Sequence, residues 1–394
     1  MFREARFVID PPACCPPSLM VPGPAGFVPL PQITFDMYQV GLAALHEMTD
    51  LQGRLNPIFL LFSELLVARS RELRWRDGGF GKGREVRRGL SNLFGRFFAR
   101  AFLERHMGYT WFAPVDGAAS QITHNLTVER TTPLGDMPDW FCMKPGEAAL
   151  AEAKGSYAHG IVGTNPGPIV KAQEQLDRAA VYHVARARKE EKHVKRWAIM
   201  SRWASERHNV DDAVFYVADP DRPAREFSEE EMDDALFETS RRHLARIASS
   251  LRLSELASHL ERPTRHPMIF RAKPDLGPYK AAIVQREGMN DRRFIGVVIG
   301  MHGVIGEDID TVVSDVRRMP SYLRRNFMFF GIDAGVLESA LSDDTELDLP
   351  DVASKFQHMS EDEARQRGEV FYGRDGTLLC NAEYIDGTES ISIA

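Results

Sequence analysis

The stretch Ala148-Ala149-Leu150-Ala151-Glu152-Ala153-Lys154-Gly155-Ser156 constrains the fold of this chain most, because it reads as a short apolar strand that nonetheless ends on a carboxylate and an ammonium. Residues two apart on a strand share a face. Glu152 and Lys154 therefore project together behind Leu150, while Ala151 and Ala153 point into packing. Isolated buried charges are costly, and a strand that presents such a pair does so for a partner or a ligand.

Upstream, Gly135-Asp136-Met137-Pro138-Asp139-Trp140 brings a second carboxylate to the head of another strand-like segment, Asp139 to Met143. Two acidic oxygens with a backbone carbonyl and waters make the hard, oxygen-rich site that magnesium prefers. Beside it, Lys154 can neutralise charge building on a scissile phosphate, or help orient and deprotonate an attacking water.

The flanking sequence predicts a helix over about 84–106, with Leu90, Leu93, Phe94, Phe97, Phe98, Ala101 and Phe102 on one stripe and Arg87, Arg88, Arg96, Arg100 and Arg105 around it. A strand at Tyr109 to Val115, a polar turn region, the two motif strands, a glycine- and proline-rich loop at Tyr157 to Pro168, a helix from Ile169 to about Ala187 and a strand at Trp197 to Trp203 follow. The order is helix, three strands, helix, strand.

Pro138-Asp139, twelve intervening residues and Glu152-Ala153-Lys154 resemble the PD-(D/E)xK motif of the restriction-endonuclease-like nuclease superfamily, and the element order resembles that family's core over roughly residues 84 to 205. The resemblance implies an α/β fold with a mixed central sheet flanked by helices. It implies that Asp139 and Glu152 bind Mg2+, for which Mn2+ can substitute, that the carbonyl of Ala153 completes the shell, and that Lys154 is catalytic. It also offers Gln173 and Gln175 as polar residues from the following helix, and Glu104 as a further metal ligand from the preceding one. The glutamine-to-tyrosine spacing of the exonuclease branch is absent, since positions 177 and 179 hold Asp177 and Ala179. The implied activity is a metal-dependent DNA endonuclease of a restriction or antiviral defence system. RNA is an alternative substrate, and a non-cleaving nucleic-acid-binding or regulatory module is the alternative function.

Other motifs carry less. Gly78 to Gly83 lacks the first glycine and the terminal serine or threonine of a phosphate loop, because Arg76 and Gly83 stand there, and it reads as a linker. Glu190-Glu191-Lys192 also fits ExK, but it lies in the charge run ARARKEEKHVKR, read as a solvated helical face. His124 and His159 read as ordinary polar residues, His159 being of interest only for its loop after the motif strand.

A chain of 394 residues predicts two domains. The expected division is a proline-rich arm and helical segment over 1–83, with residues 1–34 irregular and about 35–76 helical; a nuclease core over 84–210; and an accessory α/β or α+β domain over 211–394 for sensing, oligomerisation or partner docking. In that last part a capping box, Ser228 with Glu231, precedes a long helix. Strands are expected at 268–272, 281–284, 294–299 and 326–332, a turn at 300–303, a helix from Ala334, and a frayed tail after Asp386.

The net charge of −7 hides an asymmetry. Residues 1–210 hold 27 Lys+Arg against 21 Asp+Glu, or +6, leaving 22 against 35, or −13, for 211–394. A basic half suits a phosphate backbone read without sequence preference. The charged start and the interrupted apolar run from Ile58 predict neither export nor a membrane span. Cys14, Cys15, Cys142 and Cys380 form no metal-spaced cluster, in keeping with a reducing cytoplasm. A homodimer or a partner protein through the C-terminal domain is the remaining expectation.

Overall fold

The computed structural model describes the chain except residues 25, 53–64, 77–82, 159, 186–187, 208–210, 221, 223, 262–275, 287–288, 290, 301–302, 306–308, 325, 343–362, 364–369 and 394. The expected helical stretch from Ile58, most of the glycine-rich linker, His159, the strand at 268–272 and part of the 300–303 turn lie outside the described residues.

Packing divides the chain into two compact units, Met1–Ala43 with Leu61–Thr239, and Ala44–Leu60 with Ser240–Ala394. This differs from the expected division. The first residues belong to the first unit, and its end lies at Thr239 rather than at 210.

The first unit contains, in chain order, β1 (Phe2–Asp10), β2 (Gln32–Asp36), β3 (Trp111–Pro114), β4 (Ala119–Gln121), β5 (Leu126–Arg130), β6 (Trp140–Lys144), β7 (Glu147–Ser156), β8 (Ala179–Ala185), β9 (Arg188–Lys192), β10 (Lys195–Arg202) and β11 (Val214–Ala218). Its main helices are the start of α1 (Met37–Gln52), α2 (Arg84–Phe102), α3 (Gly167–Asp177) and the first turns of α4 (Glu229–Ser250). A seven-stranded mixed sheet runs β2-β1-β11-β10-β7-β6-β3. The pairs β1–β11 and β7–β10 are parallel and the others antiparallel. The parallel β7–β10 pair needs a long crossover, which α3 provides.

The expected irregular arm is a correction. β1 alternates buried Arg3, Ala5, Phe7 and Ile9 with half-buried neighbours, which is strand periodicity, and it pairs on both sides within the sheet. The helix expected from Phe35 begins at Met37, and Arg74–Trp75 is extended. The polar turn region before the motif contains β4 and β5, which join β8 and β9 in a second, antiparallel sheet of order β9-β8-β5-β4.

The helix expected to reach Ala187 stops at Asp177. Buried Arg196 donates to the carbonyls of Leu176 and Ala179, satisfying the helix end and turning the chain into β8. The ExK look-alike is likewise on a strand, not a solvated helical face. Lys192 is buried and held by Glu190 at 2.9 Å and Glu231 at 2.8 Å, a structural ion network.

The second unit is an antiparallel sheet of β12 (Leu276–Val284), β13 (Arg293–Gly300), β14 (Met328–Asp333), β15 (Val370–Tyr372), β16 (Thr377–Asn381) and β17 (Ile385–Ile393), ordered β15-β16-β14-β13-β12-β17, with Gly303–Ile305 folded back on β13. Helices α5 (Ser254–Glu261), α6 (Ile309–Arg318) and α7 (Ala334–Leu341) accompany it. α6 buries Ile309, Val312, Val313 and Val316, one stripe at helical spacing, in a core with Phe294, Phe329 and Tyr372.

The tail expected to fray is β17, paired along β12. The capping box is present: Ser228 N–H donates to Glu231 Oε2 at 2.8 Å and Glu231 N–H to Ser228 Oγ at 3.3 Å. No described helix is long and apolar enough to cross a membrane.

Within the second unit's core, His46 on α1 and His243 on α4 both face Asp375, with Nε2 to Oδ2 distances of 3.4 and 2.8 Å. Thr377 donates its hydroxyl and its N–H to Asp375 Oδ1. All four residues are buried.

Candidate active site

β6 and β7 remain paired as far as Trp140 opposite Ala151, and beyond that pair the strands separate. Asp139 therefore leaves the ladder beside Glu152 and Ala153. Its N–H donates to Glu152 Oε2 at 3.0 Å, and the N–H of Ala153 donates to Asp139 Oδ2 at 2.8 Å. Each carboxylate is thus fixed by the other strand's backbone.

The two faces of β7 are assigned by their neighbours. A Cβ on Gly155 would fall 1.5 Å from the carbonyl oxygen of Ser91, so Ala151, Ala153 and Gly155 face α2. Lys154, on the opposite face with Leu150 and Glu152, donates to Glu152 Oε1 and to Gln175 Oε1 on α3. Gln175 in turn donates from Nε2 to the carbonyl of Met137 at 3.2 Å, tying α3 to the segment that enters Asp139. From α2, Arg96 pairs with Asp139 Oδ1 and lies 4.5 Å over the ring of buried Trp140.

Glu152 is only 2% exposed. Burial first, and the charge of Asp139 second, push its carboxyl up to about 8, against the opposing pull of Lys154 and Arg96. A nearly dry acid beside a second acid is an arrangement that gains from added positive charge.

Asp139, Glu152, Ala153, Lys154 and Gln175 are brought together as the sequence predicts. Gln173 is not part of this hydrogen-bond chain; it is half-buried, two residues earlier on α3. Glu104 lies in the π-helical turn that ends α2, two turns beyond Arg96, and accepts from buried Arg100 at 3.0 Å. Eight residues of helix displace it by about 12 Å along the axis. The structure places Arg96, not Glu104, against Asp139. His124 pairs with Glu238, an interaction outside this cluster.

Arg96 and the Met137 carbonyl are the site groups that sequence reasoning did not assign. A signal for Arg96 exists: Ser91 and Gly95, small residues four apart, mark the side of α2 that can approach a strand closely, and Arg96 follows directly.

Among the described residues no group of three or more His, Cys, Asp or Glu side chains gathers as a metal site. The cluster here has two carboxylates, so a cation would draw on them and on the carbonyl of Ala153. This hard-oxygen set, with a desolvated Glu152, fits a magnesium-like ion. The chain matches none of the family models, curated proteins or solved structures with which it was compared.

Proposed function

We propose that the first unit is a metal-dependent nuclease with a restriction-endonuclease-like core, hydrolysing phosphodiester bonds of DNA. The observation that carries this reading is the convergence of Asp139, Glu152, Lys154 and Gln175 where β6 and β7 separate. What supports the fold assignment is the order α2, antiparallel β3, β6 and β7, then α3 and a parallel β10, with the site on the middle of that set.

Asp139, Glu152 and the Ala153 carbonyl would hold the divalent ion, which when bound supplies Lewis acidity toward a phosphodiester and the water that attacks it. Lys154 lies next to that position, anchored by Glu152 on β7 and Gln175 on α3, and can stabilise negative charge accumulating on phosphate oxygens. Gln175 orients the lysine from α3. The backbone N–H of Ala153 holds Asp139 in place, so the carboxylate need not reorganise when substrate arrives.

One observation favours a second reading, a non-cleaving nucleic-acid-binding scaffold: Asp139 and Glu152 already hold cationic partners in Arg96 and Lys154. Purified protein incubated with supercoiled plasmid, linear duplex, single-stranded DNA and RNA in Mg2+ or Mn2+, beside Asp139→Ala and Lys154→Ala, separates the two. Cutting that requires metal and vanishes in both variants is the expected result, and the preferred substrate distinguishes DNA from RNA. Salt-sensitive binding that persists through chelator and both substitutions, with no cutting, would favour the scaffold.

A further inference from the structure

The two carboxylates of the site use their oxygens differently. Glu152 gives Oε2 to the Asp139 N–H and Oε1 to Lys154; Asp139 gives Oδ2 to the Ala153 N–H and Oδ1 to Arg96. Two of these four partners are backbone N–H groups, fixed with the sheet. The other two are cationic side chains: Lys154 from β7, which also bonds Gln175, and Arg96, reaching in from α2. The Arg96 side chain is 14% exposed, and its contacts include one carboxylate oxygen and the face of Trp140.

From this asymmetry we propose that Arg96 is a resident counter-ion that yields Asp139 Oδ1 to an incoming divalent cation and then pairs with a substrate phosphate. The proposal rests on the nuclease reading and adds a residue to it. A hard cation binding Asp139 must take an oxygen directly, and the oxygen not committed to backbone is the one Arg96 occupies. A guanidinium and a divalent cation drawn to the same oxygen repel each other, so binding of the ion weakens the Arg96 pairing.

The backbone of α2 packs directly against β7. A Cβ on Gly95 would lie 2.5 Å from Gly155 N, so the helix already meets the backbone of β7. Only the side chain moves, and Trp140 offers it a surface on which to pivot. Once released, a planar guanidinium fork suits a phosphate better than a lone ammonium does. In the metal-free protein the same pairing offsets the repulsion between Asp139 and Glu152.

The test is titration of the full chain with MnCl2 by calorimetry, for wild type, Arg96→Gln, Arg96→Lys and Asp139→Asn, together with duplex binding at fixed salt in Ca2+ and in EDTA. Arg96→Gln should bind Mn2+ more tightly, on the order of tenfold, a usual size for a coupling between two ligands of one site. It should bind duplex about tenfold more weakly in Ca2+ and equally in EDTA, following the same coupling. Arg96→Lys keeps the charge and should stay close to wild type in Mn2+ affinity, which guards against a folding defect in the neutral variant.

If Arg96→Gln binds Mn2+ no more tightly while Asp139→Asn abolishes binding, the exchange is overturned and the nuclease reading stands. Equal weakening of duplex binding with and without metal would make Arg96 a plain phosphate-binding residue and also overturn it. Absence of any site-specific Mn2+ binding in wild type overturns both.

Discussion

Gly155 at the end of the motif strand and Gly95 on α2 meet backbone to backbone: a Cβ on Gly155 would lie 1.5 Å from the Ser91 carbonyl oxygen, and one on Gly95 would lie 2.5 Å from Gly155 N. This crossing sets the distance from α2 to β7 and so brings Arg96 to Asp139. Gly155→Ala is therefore expected to destabilise by more than the ~1–3 kcal/mol of ordinary overpacking, because the clash is with backbone. Gly163→Ala, where a Cβ meets nothing within 4 Å, should have little effect. Urea unfolding of the three proteins measures the difference; equal midpoints would disprove the close approach.

Gln175 and Gln173 lie on the same helix with unequal roles. Replacing Gln175 by Leu removes the oxygen that accepts from Lys154 and the amide that holds the Met137 carbonyl. On the proposed nuclease reading, cleavage should fall by about 10- to 100-fold, as for residues that orient a catalytic group. The fall is expected in kcat with little change in KM, and Gln175→Glu, which keeps an acceptor, should recover part of it. Gln173→Ala is expected to retain nearly full activity.

Acid stability of the second unit should depend on Asp375. Burial opposes its ionisation, but His46, His243 and Thr377 more than compensate and hold its carboxyl well below the usual carboxylate range. Its folded-state value is depressed. Its contribution is therefore present above the unfolded value near about 4 and is lost as pH falls through the folded value. Asp375→Asn should cost on the order of 3 kcal/mol at neutral pH, as breaking a buried pair does, and should flatten the acid limb of a thermal-stability profile. A parallel profile would argue against the pairing.

At the start of α2, Arg84 and Arg88 are exposed, a few residues before the Gly155 crossing. If duplex passes over this end of the helix, the Arg84→Glu and Arg88→Glu double variant should bind it more weakly at low salt. The slope of log affinity against log salt should shrink by about 1 to 2, one for each phosphate no longer neutralised. An unchanged slope would move the duplex path elsewhere. Since both side chains are exposed, melting temperature should be unaffected.

Much of the site was legible because it is local. Glu152, Ala153 and Lys154 are consecutive, and strand alternation alone places the acid and the lysine on one face. Asp139 could be joined to them because a short hairpin links β6 and β7. Glu104 was misplaced because helical periodicity gives a face but not the point at which a helix crosses a sheet. β8 and β9 were read as helix because the carbonyls ending α3 are satisfied by Arg196, a residue that sequence places well downstream.

By itself the sequence determined the apolar strand with its charged end, the helix before it, the start of the helix after it and the capping box at Ser228, features that depend on neighbours a few residues away. Tertiary structure decided that Phe2–Asp10 is an interior strand of the sheet, that Arg96 is the arginine on Asp139, and that His46, His243 and Asp375 share one buried cluster. Each of these joins residues far apart in the chain, as Arg96 to Asp139 and His46 to Asp375, or pairs strands across it. Such arrangements are fixed by which surfaces can be buried together with their polar groups satisfied, a condition no local pattern contains.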